Sequence, residues 1–455
     1  MISGNKVNAS PTKEFFVEML IRDILLKEAI IELIDNSIDG ARRTGQNKNC
    51  SKIFMNFNKD IFEIEDNCGG IPLNIAREKA FRFGKSKNNK THEENTVETT
   101  GIFGIGMKRS LFKIGEYFEI VSTTLQSKFV LKVDVSEWLR NETDWDFTLE
   151  TYDEDIHTEE EVGTKIIIKK LRDEVSREFN NDDFYRELVK HVERRLGGEI
   201  SEGVEVSIND KHLAAQNVTL IDSEEISPIK KEVTYNFVKV KIIAGIAPPD
   251  DEEKQRYFPE KAGWYIYCNS RLVVAADKTS LTTWRDIDNA NTGIAFHNNY
   301  AMFRGCVYFN STYPEKLPWN TTKTNIDKNA SVYLMAREEM KEIFKIVKGF
   351  IDDIRRDRGE VLDLEEDIAF SKSIASRVTN LGRKELSTKH VVDSISNNLE
   401  LSTVKMKPVK EEEKLVTITY QKPKVDVDLL RETLNVKSNK DVGIKTFEYY
   451  KDAEC

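Results

Sequence analysis

The 455-residue chain reads as an α+β protein: two mixed domains, then a helical region. Three patterns predict this: an apolar helical stretch near the N-terminus, short alternating strands behind it, and a second set of strands closed by a charged helix. Ile24, Leu25, Ala29, Leu33, Ile38 and Ala41 recur at helical spacing, so residues 14–41 read as two helices in series after Pro11. Ile53–Phe57 and Phe62–Glu65 have the alternation of hairpin strands around Lys59-Asp60. Met107–Ile114 is amphipathic, and strand patterns follow at Phe118–Thr123, Phe129–Val133 and Lys165–Ile168.

Acidic, turn-rich sequence around Arg172–Asp183 marks a boundary. Beyond it come strands at Val204–Ile208, Val238–Ile243, Gly263–Cys268 and Cys306–Phe309, then a helix over Ser331–Arg358. Residues 360–400 read as exposed helix, and the tail as strand (Val416–Tyr420), helix (Val427–Leu434) and helix (Lys440–Tyr450). The expected division is an arm over 1–12, domains over 13–175 and 176–330, a helical region over 331–400 and a small tail over 401–455.

Composition narrows the function classes. With 39% hydrophobic and 32% charged residues, the chain is expected to be soluble and globular. A net charge of −10 argues against a wholly electrostatic grip on nucleic acid. Cys50, Cys68, Cys268, Cys306 and Cys455 are scattered without metal-ligand spacing, which suits a reduced, cytoplasmic setting. No signal pattern opens the chain, and no apolar run nears the roughly 20 residues of a membrane helix.

The chemistry concentrates in three places. Glu32 and Asn36 are one helical turn apart, which stacks a candidate general base over an amide oxygen suited to a hard cation. A lone glutamate on such a helix is usually only a surface residue; the other two segments change that weighting. Asp66-Asn67-Cys68-Gly69-Gly70-Ile71-Pro72 follows a strand, where a carboxylate accepts the amine of adenine but meets a carbonyl on guanine. Gly101-Ile102-Phe103-Gly104-Ile105-Gly106-Met107-Lys108 opens a helix, whose free N–H groups suit phosphate. The polar, apolar-poor run Lys85–Thr99 before it has the composition of a lid.

In that order, with Gly163-Thr164 before a later strand, these motifs resemble the GHKL ATPase superfamily of gyrase, the ninety-kilodalton heat-shock chaperone, histidine kinases and MutL. The lid run looks most like the MORC branch. The turn departs from the family in having Cys68 where its first glycine usually stands. The resemblance implies a Bergerat-type ATP-binding sandwich with Mg²⁺ as cofactor. In it Glu32 would be the base, Asn36 the metal ligand, and Asp66, Gly70 and Ile71 the adenine site, with Thr164 in support. Gly101, Gly104, Ile105, Gly106 and Lys108 would hold phosphate.

Gly263–Val273 is similar to the strand–turn–strand of the MutL and MORC transducer domain, and Asn320–Asn325 to the loop whose lysine, here Lys323, reaches the γ-phosphate. The implied function is an ATPase that forms a homodimer on binding ATP and hydrolyses it slowly to drive a clamp. DNA or a DNA-associated protein is its first candidate client, in genome or phage-defence handling, and no membrane is involved. The alternative is a chaperone-like ATPase acting on protein clients. A histidine kinase fits poorly, because His191 follows the ATP motifs and no proline completes a phospho-acceptor box.

Overall fold

The computed structural model describes residues 11–84, 105–222, 226–251, 256–284, 295–320, 323–362, 383–385 and 421–454. Residues 1–10 of the N-terminal arm, the polar run, Gly101, Gly104 and the tail strand expected at Val416–Tyr420 lie outside them. Helix α1 (Lys13–Arg22) starts at Thr12, whose hydroxyl accepts the Phe15 N–H at 3.3 Å. After a break at residues 23–25, α2 (Leu26–Thr44) runs to Gly45, a left-handed cap with φ of 69°.

An eight-stranded sheet carries these helices. Strands β1 (Lys52–Phe57) and β2 (Phe62–Asp66) form the expected antiparallel hairpin. A short helical segment, Leu73–Ile75, then leads into a π-turn at Ala76–Ala80. Next come α3 (Gly106–Ile114), β3 (Gly115–Thr123), β4 (Lys128–Asp134), α4 (Val135–Arg140), β5 (Leu149–Asp153) and β6 (Gly163–Leu171). Helices α5 (Asp173–Phe179), α6 (Asp182–Arg195) and α7 (Gly197–Ser201) follow, and the chain returns to the sheet as β7 (Glu205–Ile208) and β8 (Lys211–His212). The strand order is β5-β4-β3-β6-β2-β1-β7-β8.

That return moves the boundary expected near residue 175. Strand β7 pairs in parallel with β1, Ile53 opposite Val206, and the first core takes in Phe184, Leu188, Val192 and Val206. The acidic turn at 172–183 therefore sits within the first unit. A parallel partner needs a long crossover, and α5 to α7 supply it.

Helix α1 closes one end of this unit over an aromatic cluster. Phe16 meets Phe83 and Trp145 edge-on at 5.0 and 5.3 Å, and Trp138 stacks on Phe112. Lys13 is buried there, its ammonium 4.0 Å over the Trp138 ring and bonded to the Trp138 carbonyl at 2.7 Å.

The second unit opens with β9 (Thr219–Ile221), β10 (Ile229–Tyr235) and β11 (Val238–Ile246). It continues with β12 (Gly263–Cys268), β13 (Arg271–Asp277), β14 (Phe303–Asn310) and the long helix α8 (Ser331–Leu362). Its sheet has the order β10-β11-β14-β12-β13. Phe344 of α8 packs with Trp264, Trp284 and Phe303 on one face, while Tyr265, Tyr267 and Tyr308 join Leu220 on the other. Burial on both faces suits β12, whose residues Gly263–Cys268 are all buried.

The region expected to be helical through residue 400 differs at β15 (Arg383–Glu385), which pairs with β9. The tail forms α9 (Lys424–Thr433) and α10 (Asn439–Glu454). None of the described helices is long and apolar enough to cross a membrane.

Gly305 lies against the face of Trp264, where a β-carbon would fall well inside contact distance of the indole. Gly305→Ala is expected to lower unfolding stability in urea by about 1–3 kcal/mol, the usual cost of overpacking a core. An unchanged midpoint would show that the Trp264 ring has room to retreat.

Candidate functional site

From Glu28 to Ala41 every residue of α2 is buried except Asn36. Helix spacing lines up Glu28, Glu32, Asp35 and Asp39 on one face, a row of buried carboxylates that needs countercharge. The countercharge comes from residues distant in sequence. Arg271, the first residue of β13, donates from Nη1 to Glu32 Oε1 at 2.9 Å and to Asp35, and from Nη2 to Glu28 at 3.3 Å. Arg195, near the end of α6, reaches Glu28 at 3.0 Å, and His191 lies 3.1 Å from the same carboxylate. Lys323 donates to Glu32 Oε1 at 3.0 Å and Oε2 at 2.9 Å.

Local structure aims both second-unit cations. Asn269 and Ser270 take left-handed φ of 46° and 68° in the tight turn between β12 and β13. The Asn269 side chain is held at both ends by Ser311, with bonds of 2.9 Å to its carbonyl and its N–H. Arg271 thus projects from a fixed strand end. Lys323 projects from a loop closed by a bridge between Trp319 and Ile326, in which Asn320 Oδ1 accepts the Thr324 N–H at 2.9 Å. Its own φ of 54° is costly for a residue with a β-carbon, and the loop holds it there.

These contacts set the ionisation. Burial alone would raise the Glu32 carboxyl, but Lys323 and Arg271 more than offset it and hold it below its usual range. Burial dominates at Asp35, which rises to about 6 with Glu32 and Asp39 nearby. Glu28 goes the other way: burial opposes ionisation, yet His191, Arg195 and Arg271 bring it down to about 2.

The residues expected around adenine gather at the other edge of α2. Asp66 ends β2, accepts the Ser37 hydroxyl at 2.5 Å and the Cys68 N–H at 2.8 Å, and faces Thr164 across the sheet. Burial pushes its carboxyl up, and these hydrogen bonds partly offset that. Thr164 shares a 3.1 Å hydroxyl contact with Ser122, which accepts the Ile71 N–H at 2.7 Å. The left-handed positions of the turn are Gly69 and Gly70, with φ of 88° and 67°, so Cys68 stands where no glycine is required. A β-carbon on Gly70 would strike the Thr123 carbonyl.

On the phosphate side, Ile105 and Gly106 enter α3, and Gly106 abuts Glu32 so closely that a β-carbon would collide with Oε2. Lys108, expected to meet phosphate, is buried, its ammonium donating to the Ala80 carbonyl at 2.8 Å and standing 5.7 Å from the Phe83 ring. Its place one turn into α3 carries the side chain into the protein. Among the described residues no cluster of His, Cys, Asp or Glu could hold a metal by itself. Asn36 suits Mg²⁺ arriving on a nucleotide, since that ion commonly takes one or two protein oxygens beside phosphate and water.

Residues 24–164 match the family of histidine kinase-, DNA gyrase B- and HSP90-like ATPases. The match supports a GHKL-type ATPase domain over this stretch, with the ATP binding that such domains share and the hydrolysis general in the family. No curated protein was found to match the chain.

Sequence reasoning missed Arg271, Arg195, Glu28, Asp35, Ser37 and Ser122. One signal was present: acids at 28, 32, 35 and 39 form a stripe on a helix whose apolar residues Ile30, Ile31, Leu33, Ile34 and Ile38 mark it as buried. Ion pairing at Glu28 predicts a pH dependence. Its native value of about 2, against an ordinary 4.5, gives stability that is complete above pH 4.5 and lost as pH falls through 2. Glu28→Gln is therefore expected to cost about 3 kcal/mol at pH 7. In urea titrations the gap from wild type should close between pH 4.5 and 2; a gap of constant size would detach the effect from ionisation.

Proposed function

We propose that this chain is a Mg-ATP-dependent GHKL-type ATPase of the MORC/MutL kind, in which ATP closes two copies into a clamp around DNA or a DNA-associated protein. The observation that carries the reading is the meeting of Lys323, from the second unit, with Glu32, beside the exposed amide of Asn36. Asp66 keeps lone pairs for the amine of adenine after accepting from Ser37 and Cys68. Asn36 would hold Mg²⁺, whose charge offsets that of the phosphates. Glu32 would orient and deprotonate the attacking water.

The base is quenched while Lys323 occupies both its oxygens. A γ-phosphate offers the ammonium a more highly charged partner, so Lys323 would exchange Glu32 for phosphate. Hydrolysis would then be coupled to the release of Lys323 from Glu32, with the second unit already docked through Arg271. ATP would shift the open and closed populations by its differential affinity for the closed state. Phe15, Met19 and Leu25 are exposed apolar residues around α1, a face that suits a second copy. Resemblance to MORC and MutL at Gly263–Val273 and Asn320–Asn325 supports a DNA-directed client.

Solution mass tests this for wild type, Glu32→Ala and Asp66→Asn, each without nucleotide, with ADP, and with ATP plus Mg²⁺. Glu32→Ala is expected to bind ATP, lose turnover and accumulate as a dimer with ATP only. Asp66→Asn is expected to lose ATP binding by calorimetry and stay monomeric. Masses indifferent to nucleotide would overturn the clamp, and unchanged hydrolysis by Glu32→Ala would remove it as the base.

A further inference from the structure

The two oxygens of Glu32 are held differently. Oε1 accepts from Arg271 at 2.9 Å and from Lys323 at 3.0 Å; Oε2 accepts from Lys323 at 2.9 Å and faces Gly106 at the start of α3. The two cations are also mounted differently. Arg271 is buried at the end of a strand whose turn is pinned through Asn269, and its fork joins Glu28, Glu32 and Asp35 over two turns of α2. Lys323 sits at the tip of a loop in a left-handed conformation, with a single compact ammonium. Of the two, Lys323 is built to leave and Arg271 to stay.

We propose that Arg271 is a positioning residue for Glu32: it fixes Oε1 and dedicates Oε2 to the attacking water once Lys323 withdraws. This rests on Glu32 being the base. In the step it serves, a water proton passes to Oε2 while the water oxygen bonds to the γ-phosphorus. The bond from that phosphorus to the β,γ-bridging oxygen breaks, and ADP leaves with the electron pair. The proton on Oε2 then passes to solvent, which restores the carboxylate and gives ADP and phosphate from ATP and water. A lysine at 271 would keep the charge but lose the fork, so it could not hold Glu32 and Glu28 together. The carboxylate would turn about its last bond, and small misplacements of a reacting group are costly in rate.

The test uses the full chain and compares Arg271→Lys, Glu28→Gln, Glu32→Gln and the double variant Glu32→Gln/Arg271→Lys, with ADP binding by calorimetry reporting an intact site. Arg271→Lys should lower kcat at least about tenfold with KM for ATP within about twofold. Glu28→Gln, which loosens the far end of the same guanidinium but leaves its contact with Glu32, should lower kcat less than Arg271→Lys does. Because Arg271 acts through Glu32, the lysine should cost nothing further in the Glu32→Gln background.

A wild-type kcat in Arg271→Lys, equal losses in Arg271→Lys and Glu28→Gln, or additive losses in the double variant would each overturn the proposal. Should Arg271→Lys fail to bind ADP, the charge-balanced pair Arg271→Gln/Glu28→Gln takes its place under the same criteria. Wild-type hydrolysis by Glu32→Gln would instead defeat the assignment of the base, a result distinct from the failure of Arg271 alone.

Discussion

The neutralisation of one helix face by a separate part of the chain is the constraint on which the rest of the structure turns. Helix α2 is buried from Glu28 to Ala41 apart from Asn36, and its acids cannot stay ionised in that setting without cations. Nothing on α2 faces them with positive charge except Arg42, which bonds Asp39 at 3.3 Å and also meets Glu199. Arg271, Lys323 and Arg195 supply the remainder. Each reaches α2 only if β12–β13, the Asn320 loop and α6 dock in one arrangement, so the ionic contacts and the docking of the two units specify each other.

The same contacts tie local chemistry to larger motion. Lys323 holds Glu32 from a loop in which it takes a left-handed conformation, and in the proposed cycle it would exchange that carboxylate for an incoming anion. Arg271 stays at a pinned strand end. In the proposed mechanism, a fixed and a displaceable cation on one carboxylate would give the site a resting form and a working form, without any rearrangement of α2 itself.

Much of the first unit was legible in the sequence because its signals are local. Helical periodicity located α2, alternation located β1 and β2, and the Asp66 and Gly163 motifs stand opposite each other across β2 and β6. Glu32 and Lys323 were named from separate motifs, and the structure brings them within hydrogen-bond distance. What escaped was the long-range part. Nothing local says that β7 returns to pair beside β1, since parallel pairing across a helical crossover leaves no mark at the turn. A lysine just after a glycine run looks like a phosphate ligand, but only packing shows where the stem of Lys108 rests, with its ammonium on the Ala80 carbonyl. Arg271 had no distinguishing local context, although the acidic stripe it answers was visible.

The parallel pairing of β7 with β1 bears on where this molecule can be divided. A cut after Leu171, where the matched ATPase segment has already ended, strips an edge from the first sheet and removes Leu188 and Val192 from its core. Even a fragment extended past His212 exposes a helix whose acids have lost Arg271 and Lys323. The part that carries the nucleotide motifs is therefore not a detachable module with an accessory behind it: as a unit of purification or engineering, the smallest sensible piece runs through α8, whose Phe344 and Ile351 complete the second core.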